Sequence, residues 1–177
     1  MKDAPGELFI RNVRDEERDL VRALTLDAYE EFATLMEPEF WVRYREQLLR
    51  TLDAVDPSVE RILAEQDRAI VGSVLLYPPA SGDAYGAAAQ ELHDPEVRLL
   101  AVAPYARGCG VALALMNECE RRARAAGAIA LGLHTMDVMV AAVRLYARLG
   151  FERAAERDFI PVPGFVVKGY RRRLSGP

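Results

Sequence analysis

Lysine is almost missing from this chain: Lys2 and Lys168 are the only two among 177 residues, and arginine supplies the remaining basic side chains. No GxxxxGK[ST] element exists, which excludes a Walker-type nucleotide site. A Schiff-base enzyme would have to use Lys2 or Lys168, and neither is well placed for it. Cysteine is equally scarce. Cys109 and Cys119 cannot make a disulfide framework or a thiolate zinc site, and both are expected to be reduced. The two histidines, His93 and His134, have no partner at metal-ligand spacing, so no metal is expected. No apolar run approaches the ~18–20 residues of a membrane span. The segment MKDAPGELFIRN lacks the apolar stretch of a secretory signal, so the expectation is a cytoplasmic chain with no membrane partner. The charge is 23 − 27 = −4 with a pI near 5.3, which makes nucleic acid an unfavourable partner.

What the chain has is apolar material, at 51%. Area scaling gives roughly 8,600 Å² folded against roughly 28,600 Å² unfolded, so about 70% of the surface is buried without staples. The length predicts one domain over residues 1–177. ELFIRNV reads as a first strand. Asp15 offers an N-cap to a helix carrying Leu20, Val21, Leu24, Ala28 and Phe32. Pro38 opens a second helix with Phe40, Trp41, Tyr44, Leu48 and Leu52 on one face. VERILAEQ and AIVGSVLLY, joined by Asp67 and Arg68, read as a hairpin, and residues 78–94 as a long loop. Further on, EVRLLAV and AIALGLH are strands that alternate with helices ended by Gly127 and Gly150. FERAAERDFI and GFVVKGYRRRL predict a last antiparallel pair. The order is that of an α+β fold.

The chemistry concentrates in VRLLAVAPYARGCGVALALM, where a strand runs through a two-glycine turn into a helix starting near Gly110. Amides at such a junction point outward and the helix dipole favours negative charge, so an anion site is one reading. A plain strand-to-helix connection is the other, and spacing alone leaves both open. A dinucleotide fingerprint is rejected: Leu113 stands where the third glycine belongs, and APYAR separates the strand from Gly108.

The segment resembles the acyl-CoA-binding motif of the GNAT superfamily of N-acetyltransferases, Q/R-x-x-G-x-G/A after a V-x-P strand exit. Val102, Ala103 and Pro104 match the exit; Arg107, Gly110 and Ala112 match the motif. Downstream, AVRLYARLGFE is similar to that family's A-x-x-L-Y-x-x-x-G-F through Ala142, Leu145, Tyr146, Gly150 and Phe151. The resemblance spans nearly the whole chain. It implies a mixed, mostly antiparallel sheet of about seven strands with four helices, splayed at the two central strands. It also implies acetyl-CoA as co-substrate, with direct acetyl transfer to an amine, on a small molecule or a protein, in a ternary complex.

By the same resemblance the CoA pyrophosphate rests on the amides of Arg107, Gly108, Cys109, Gly110, Val111 and Ala112. The pantetheine runs along Leu100, Ala101 and Val102, with an N–H near Leu100 or Val102 as oxyanion donor. Ala142 and Tyr146 line the site, Tyr146 as general acid to the thiolate and Glu96 as general base, directly or through a water relay, with Asp94 and Glu91 as fallbacks. Met139 departs from the family's usual asparagine, whose amide donors a thioether lacks. His134 is read as a structural histidine or one beside the acceptor, and His93 as solvated. On the acceptor side, Tyr29, Glu30, Glu31, Phe32, Glu37, Glu39, Phe40, Trp41 and Tyr85 mix acids with aromatics, which suits a cationic amine. A solvated helix face over an aromatic core fits the same residues. Arg171, Arg172 and Arg173 are expected at the rim of the last strand. A longer acyl donor, a homodimer and a catalytically idle acyl-CoA-binding or regulatory module remain the alternatives.

Overall fold

A computed structural model describes residues 6–79, 94–162 and 165–174. Tyr85, Glu91 and His93 lie outside the described residues. Strand β1 (Leu8–Asn12) leads through a 3-10 turn, Asp15–Glu17, into α1 (Arg18–Glu30). Asp15 therefore starts the turn and does not cap the helix. The carboxylate of Glu17 closes it by accepting the Arg14 N–H at 2.9 Å and the Arg11 guanidinium at 2.7 Å. The buried stripe of α1 is Val21, Thr25, Ala28 and Tyr29, and Leu20 is rotated off it, 61% exposed. Helix α2 (Pro38–Asp53) has proline in its first turn, where the missing N–H costs nothing, and buries Phe40, Leu48 and Leu52.

Strands β2 (Glu60–Gln66) and β3 (Ala69–Tyr77) form the expected hairpin. Asp67 and Arg68 take φ of 51° and 64°, as a two-residue turn must when it follows the twist of the strands. Next come β4 (Glu96–Val102), α3 (Val111–Ala125), β5 (Ala130–Thr135) and α4 (Val140–Arg148). FERAAERDFI does not form one strand. It breaks into β6 (Glu152–Arg153), a 3-10 turn and β7 (Phe159–Val162), all beside β8 (Phe165–Arg173). The break follows from Gly169: a Cβ there would lie 2.5 Å from the Cβ of Arg157, so the absent side chain admits the turn.

The sheet runs β1-β2-β3-β4-β5-β8-β6, with β7 pairing β8 off that path. It holds eight strands where about seven were expected, the extra one being the two-residue β6. Every neighbouring pair is antiparallel except β4 and β5. The main core lies where α3 covers one face, with Val74, Val97 and Leu133 of the sheet in one cluster with Val111, Leu115 and Cys119. A Cβ on Gly72 would approach Cγ1 of Val111 to 2.8 Å, so α3 begins tight against β3. Helices α1 and α2 contribute to a second cluster with Ala101, Met136 and Met139. No helix among the described residues is long and apolar enough to cross a membrane.

Candidate active site

Strands β4 and β5 pair through Glu96↔Gly132 and Val97↔Leu133 and then part. The parting coincides with a bulge in β4. Its register with β3 jumps from Leu75↔Arg98 to Ser73↔Ala101, so Leu99 and Leu100 together oppose Val74. Leu99 sits at φ 49°, a left-handed conformation that a leucine rarely adopts. Beyond the bulge Ala103 donates its N–H to Val71 on β3 at 2.9 Å. Strand alternation therefore turns the N–H and C=O groups of Leu100 and Val102 toward the gap. Two side chains already reach those carbonyls. Tyr29 donates its hydroxyl to Leu100 O at 3.4 Å, and Arg107 Nε donates to Val102 O at 3.4 Å.

The glycine turn lies beyond the end of β4. Gly108 and Gly110 have φ of 78° and 84°, and an added Cβ at either would meet nothing within 4 Å. Their necessity is thus conformational, and open space lies before the loop. No side chain caps α3, and its first helical bond runs from Ala114 N–H to Gly110 O at 3.0 Å. The amides at the start of the helix are left to an external acceptor. Cys109 is exposed on this turn. Arg107 folds back over α1, donating to Glu31 at 2.7 Å and to Ala28 O at 3.2 Å.

Helix α4 brings the second motif to the same place. Tyr146 is 6% exposed, its ring edge-on to Phe151 at 5.8 Å. Burial pushes its phenol well above the ordinary value, so the hydroxyl keeps its proton. Met139 is buried and accepts the Thr135 hydroxyl at 3.6 Å. A cleft of about 1300 Å³ joins these parts. Every residue expected at the cofactor site lines it except Cys109, and Tyr146 lines it too.

Glu96 does not. Its carboxylate is enclosed, with His134 Nδ1 at 3.0 Å, Arg98 Nε at 3.2 Å and Arg98 Nη2 at 3.3 Å. Arg98 itself lies over the Tyr77 ring, 4.0 Å from its centroid. His134 lines the cleft in front of this carboxylate, so Glu96 would act through its neighbours. Sequence reasoning passed over Arg98, although its place two residues after Glu96 on a strand puts both on one face. Asp94, the fallback base, is clasped by Arg157 and by Arg171 Nε at 2.7 Å. Arg171 therefore turns to the segment just before β4 instead of decorating the rim, and Arg172 pairs with Glu120 at 2.6 Å.

Residues 19–151 match the family model of the acetyltransferase (GNAT) family. A comparison with the curated proteins gives no match. Solved structures share the fold at low identity. A GNAT-family acetyltransferase from Staphylococcus aureus Mu50 superposes with a TM-score of 0.70 at 15% identity, covering 96% of this chain and 100% of that one. The PaiA N-acetyltransferase of Thermoplasma acidophilum, in complex with coenzyme A, gives 0.68 at 15% identity over 94% and 99%. YncA, a putative acetyltransferase of Salmonella typhimurium with its cofactor acetyl-CoA, gives 0.64 at 16% identity over 97% and 96%. The reaction class of the family is acyl-CoA-dependent acetyl transfer, with acetyl-CoA as co-substrate. With its family-model match, its two motifs lining one cleft and its parted central strands, the chain belongs to the GNAT acetyltransferase family.

Proposed function

We propose that the chain transfers the acetyl group of acetyl-CoA to an amine by direct attack in a ternary complex, as one domain over residues 1–177 acting in the cytoplasm. The observation that carries this reading is the gap between β4 and β5. It leads from the uncapped start of α3 to the Tyr146 side chain within one cleft. The amides from Gly108 to Ala112 hold the pyrophosphate. The gap-facing backbone of Leu100 and Val102 pairs with the pantetheine arm, and one of their N–H groups polarises the thioester carbonyl. The amine attacks the carbonyl carbon, the C–S bond breaks, and Tyr146 gives its proton to the departing thiolate. Glu96, enclosed by His134 and Arg98, serves as a positioning residue, and the proton lost by the amine returns through water in the cleft to Tyr146. The test is release of free thiol from acetyl-CoA on addition of a panel of amines. Amine-dependent release supports transfer. Saturable acetyl-CoA binding without release by any amine would instead assign the chain as an acyl-CoA-binding module.

A further inference from the structure

We propose that the acceptor is a primary amine that also carries a carboxylate, and that Arg43 on α2 receives that carboxylate; the inference rests on the amine-acetylation reading above. A cationic acceptor among acids and aromatic rings was one of two readings of the sequence, and of that set Tyr29, Glu31, Phe32 and Phe40 line the cleft. Glu30 faces Arg45 at 4.0 Å, while Glu37 and Glu39 are exposed and do not line the cleft. The rings are spent on one another: Phe40 stacks on Phe165 at 3.7 Å, and Tyr29 meets Phe32 edge-on at 5.7 Å. They do not form an open cage for an ammonium.

The charges that do line the cleft have the other sign. Among the described residues its carboxylates are Glu31 and Glu46, each with an arginine, Arg107 at 2.7 Å and Arg50 at 3.4 Å. Against these two stand five arginines, Arg43, Arg50, Arg98, Arg107 and Arg148, in a chain whose net charge is −4. A donor as anionic as CoA accounts for part of that excess. Arg98 is matched by Glu96 at 3.2 Å. Arg43 and Arg148 are the members without an ion pair to a described residue, and of the two Arg43 is the one on α2, among the helices of the acceptor side. It lies on the cleft-facing stripe of α2 with Phe40, Tyr44 and Gln47, and it makes no ion pair with a described residue, unlike Arg45 and Arg50 on the same helix. A carboxylate held there leaves the amine of the same molecule free to enter the gap. A polyamine would meet Arg43 as a like charge.

The test gives the full chain acetyl-CoA and acceptors matched in pairs, free amino acids and their carboxamides, with spermidine as the polycationic arm, and reads thiol release. The expected result is a kcat/KM about tenfold higher for the acid than for its amide, the size of one charge-assisted contact. The ratio should shrink to about threefold or less in Arg43→Gln and persist in Arg43→Lys, with the Tm of both variants confirming the fold. An amide or spermidine used as well as the acids overturns the proposal, as does an acid preference untouched in Arg43→Gln. If no amine releases thiol, the transfer reading fails by itself, and the Tm shift with CoA present still decides the anion site. A shift for acids over amides that Arg43→Gln removes supports the site, and equal shifts overturn it.

Discussion

His134 stands between two acceptors: Nδ1 lies 3.0 Å from the Glu96 carboxylate and Nε2 lies 2.9 Å from the carbonyl oxygen of Arg157. The ring satisfies both only when both nitrogens carry protons, or when the extra proton sits on Glu96. The pair ties β4, β5 and the turn before β7 into one unit.

The first expected outcome concerns acid stability. Burial would push the Glu96 carboxyl up, but the hydrogen bond from His134 and the charge of Arg98 prevail and hold it below its ordinary 4.5. A carboxyl lowered by folding contributes stability that is complete above its unfolded value and is lost as pH falls through the folded value. Stability is therefore expected to decline below pH 4.5, with Glu96→Gln removing that part of the decline. At neutral pH the same variant should cost about 3 kcal/mol, since it strips one partner from a buried pair. Urea unfolding on both sides of the carboxylate range measures the two effects. An equal acid loss in the variant would place the titration elsewhere.

Tyr146→Phe tests the leaving-group proton. A thiol pKa near 8.5 makes thiolate a tolerable leaving group unaided, so the acid contributes at the lower end of its usual range. The expected effect is a roughly 10–100-fold lower kcat with KM for acetyl-CoA barely changed, the mark of a contact made only in the transition state. Unaltered kcat, where chemistry limits the rate, removes Tyr146 from the mechanism. A rise in KM alone demotes it to cofactor packing.

Acetyl-CoA should raise the Tm of the wild type, because a ligand that binds only the folded state stabilises it. Gly110→Trp should abolish that rise. No protein atom crowds an added side chain there, so the harm comes from forcing φ 84° on a bulky residue and from filling the space before the amides. A normal Tm shift in the variant would contradict the pyrophosphate site.

Met139 is 7% exposed and shares a cluster with Ala101, Met136 and Phe40. Met139→Asn restores the residue usual in the family but buries an amide there. It should lower stability by about 2 kcal/mol. Cofactor affinity should hold or tighten by up to about 1 kcal/mol, one hydrogen bond. Thermal unfolding and a cofactor titration on one sample measure both, and an unchanged Tm would show that the site admits a polar group.

Much of this molecule was determined by short stretches of sequence read alone. The Asp67–Arg68 turn, the helix ends at Gly127 and Gly150, and the glycine turn before α3 all depend on the conformation of a few consecutive residues. Such preferences are local, so pattern and turn chemistry disclose them. Tertiary structure decided the rest. No side-chain signature marks Leu99 for φ 49°, yet that bulge accompanies the parting of β4 from β5. Gly169 interrupts the strand expected over FERAAERDFI, because it lies against Arg157 from another segment. The strand around Glu96 did not disclose that β5 would place His134, 38 residues away, at its carboxylate. The acids and rings of α1 and α2 fitted a cation site or a solvated face over an aromatic core, and only packing set Phe40 against Phe165 and Arg43 in the cleft wall. The nature of a residue is written in the chain, but its charge environment is the sum of neighbours that only folding brings within reach.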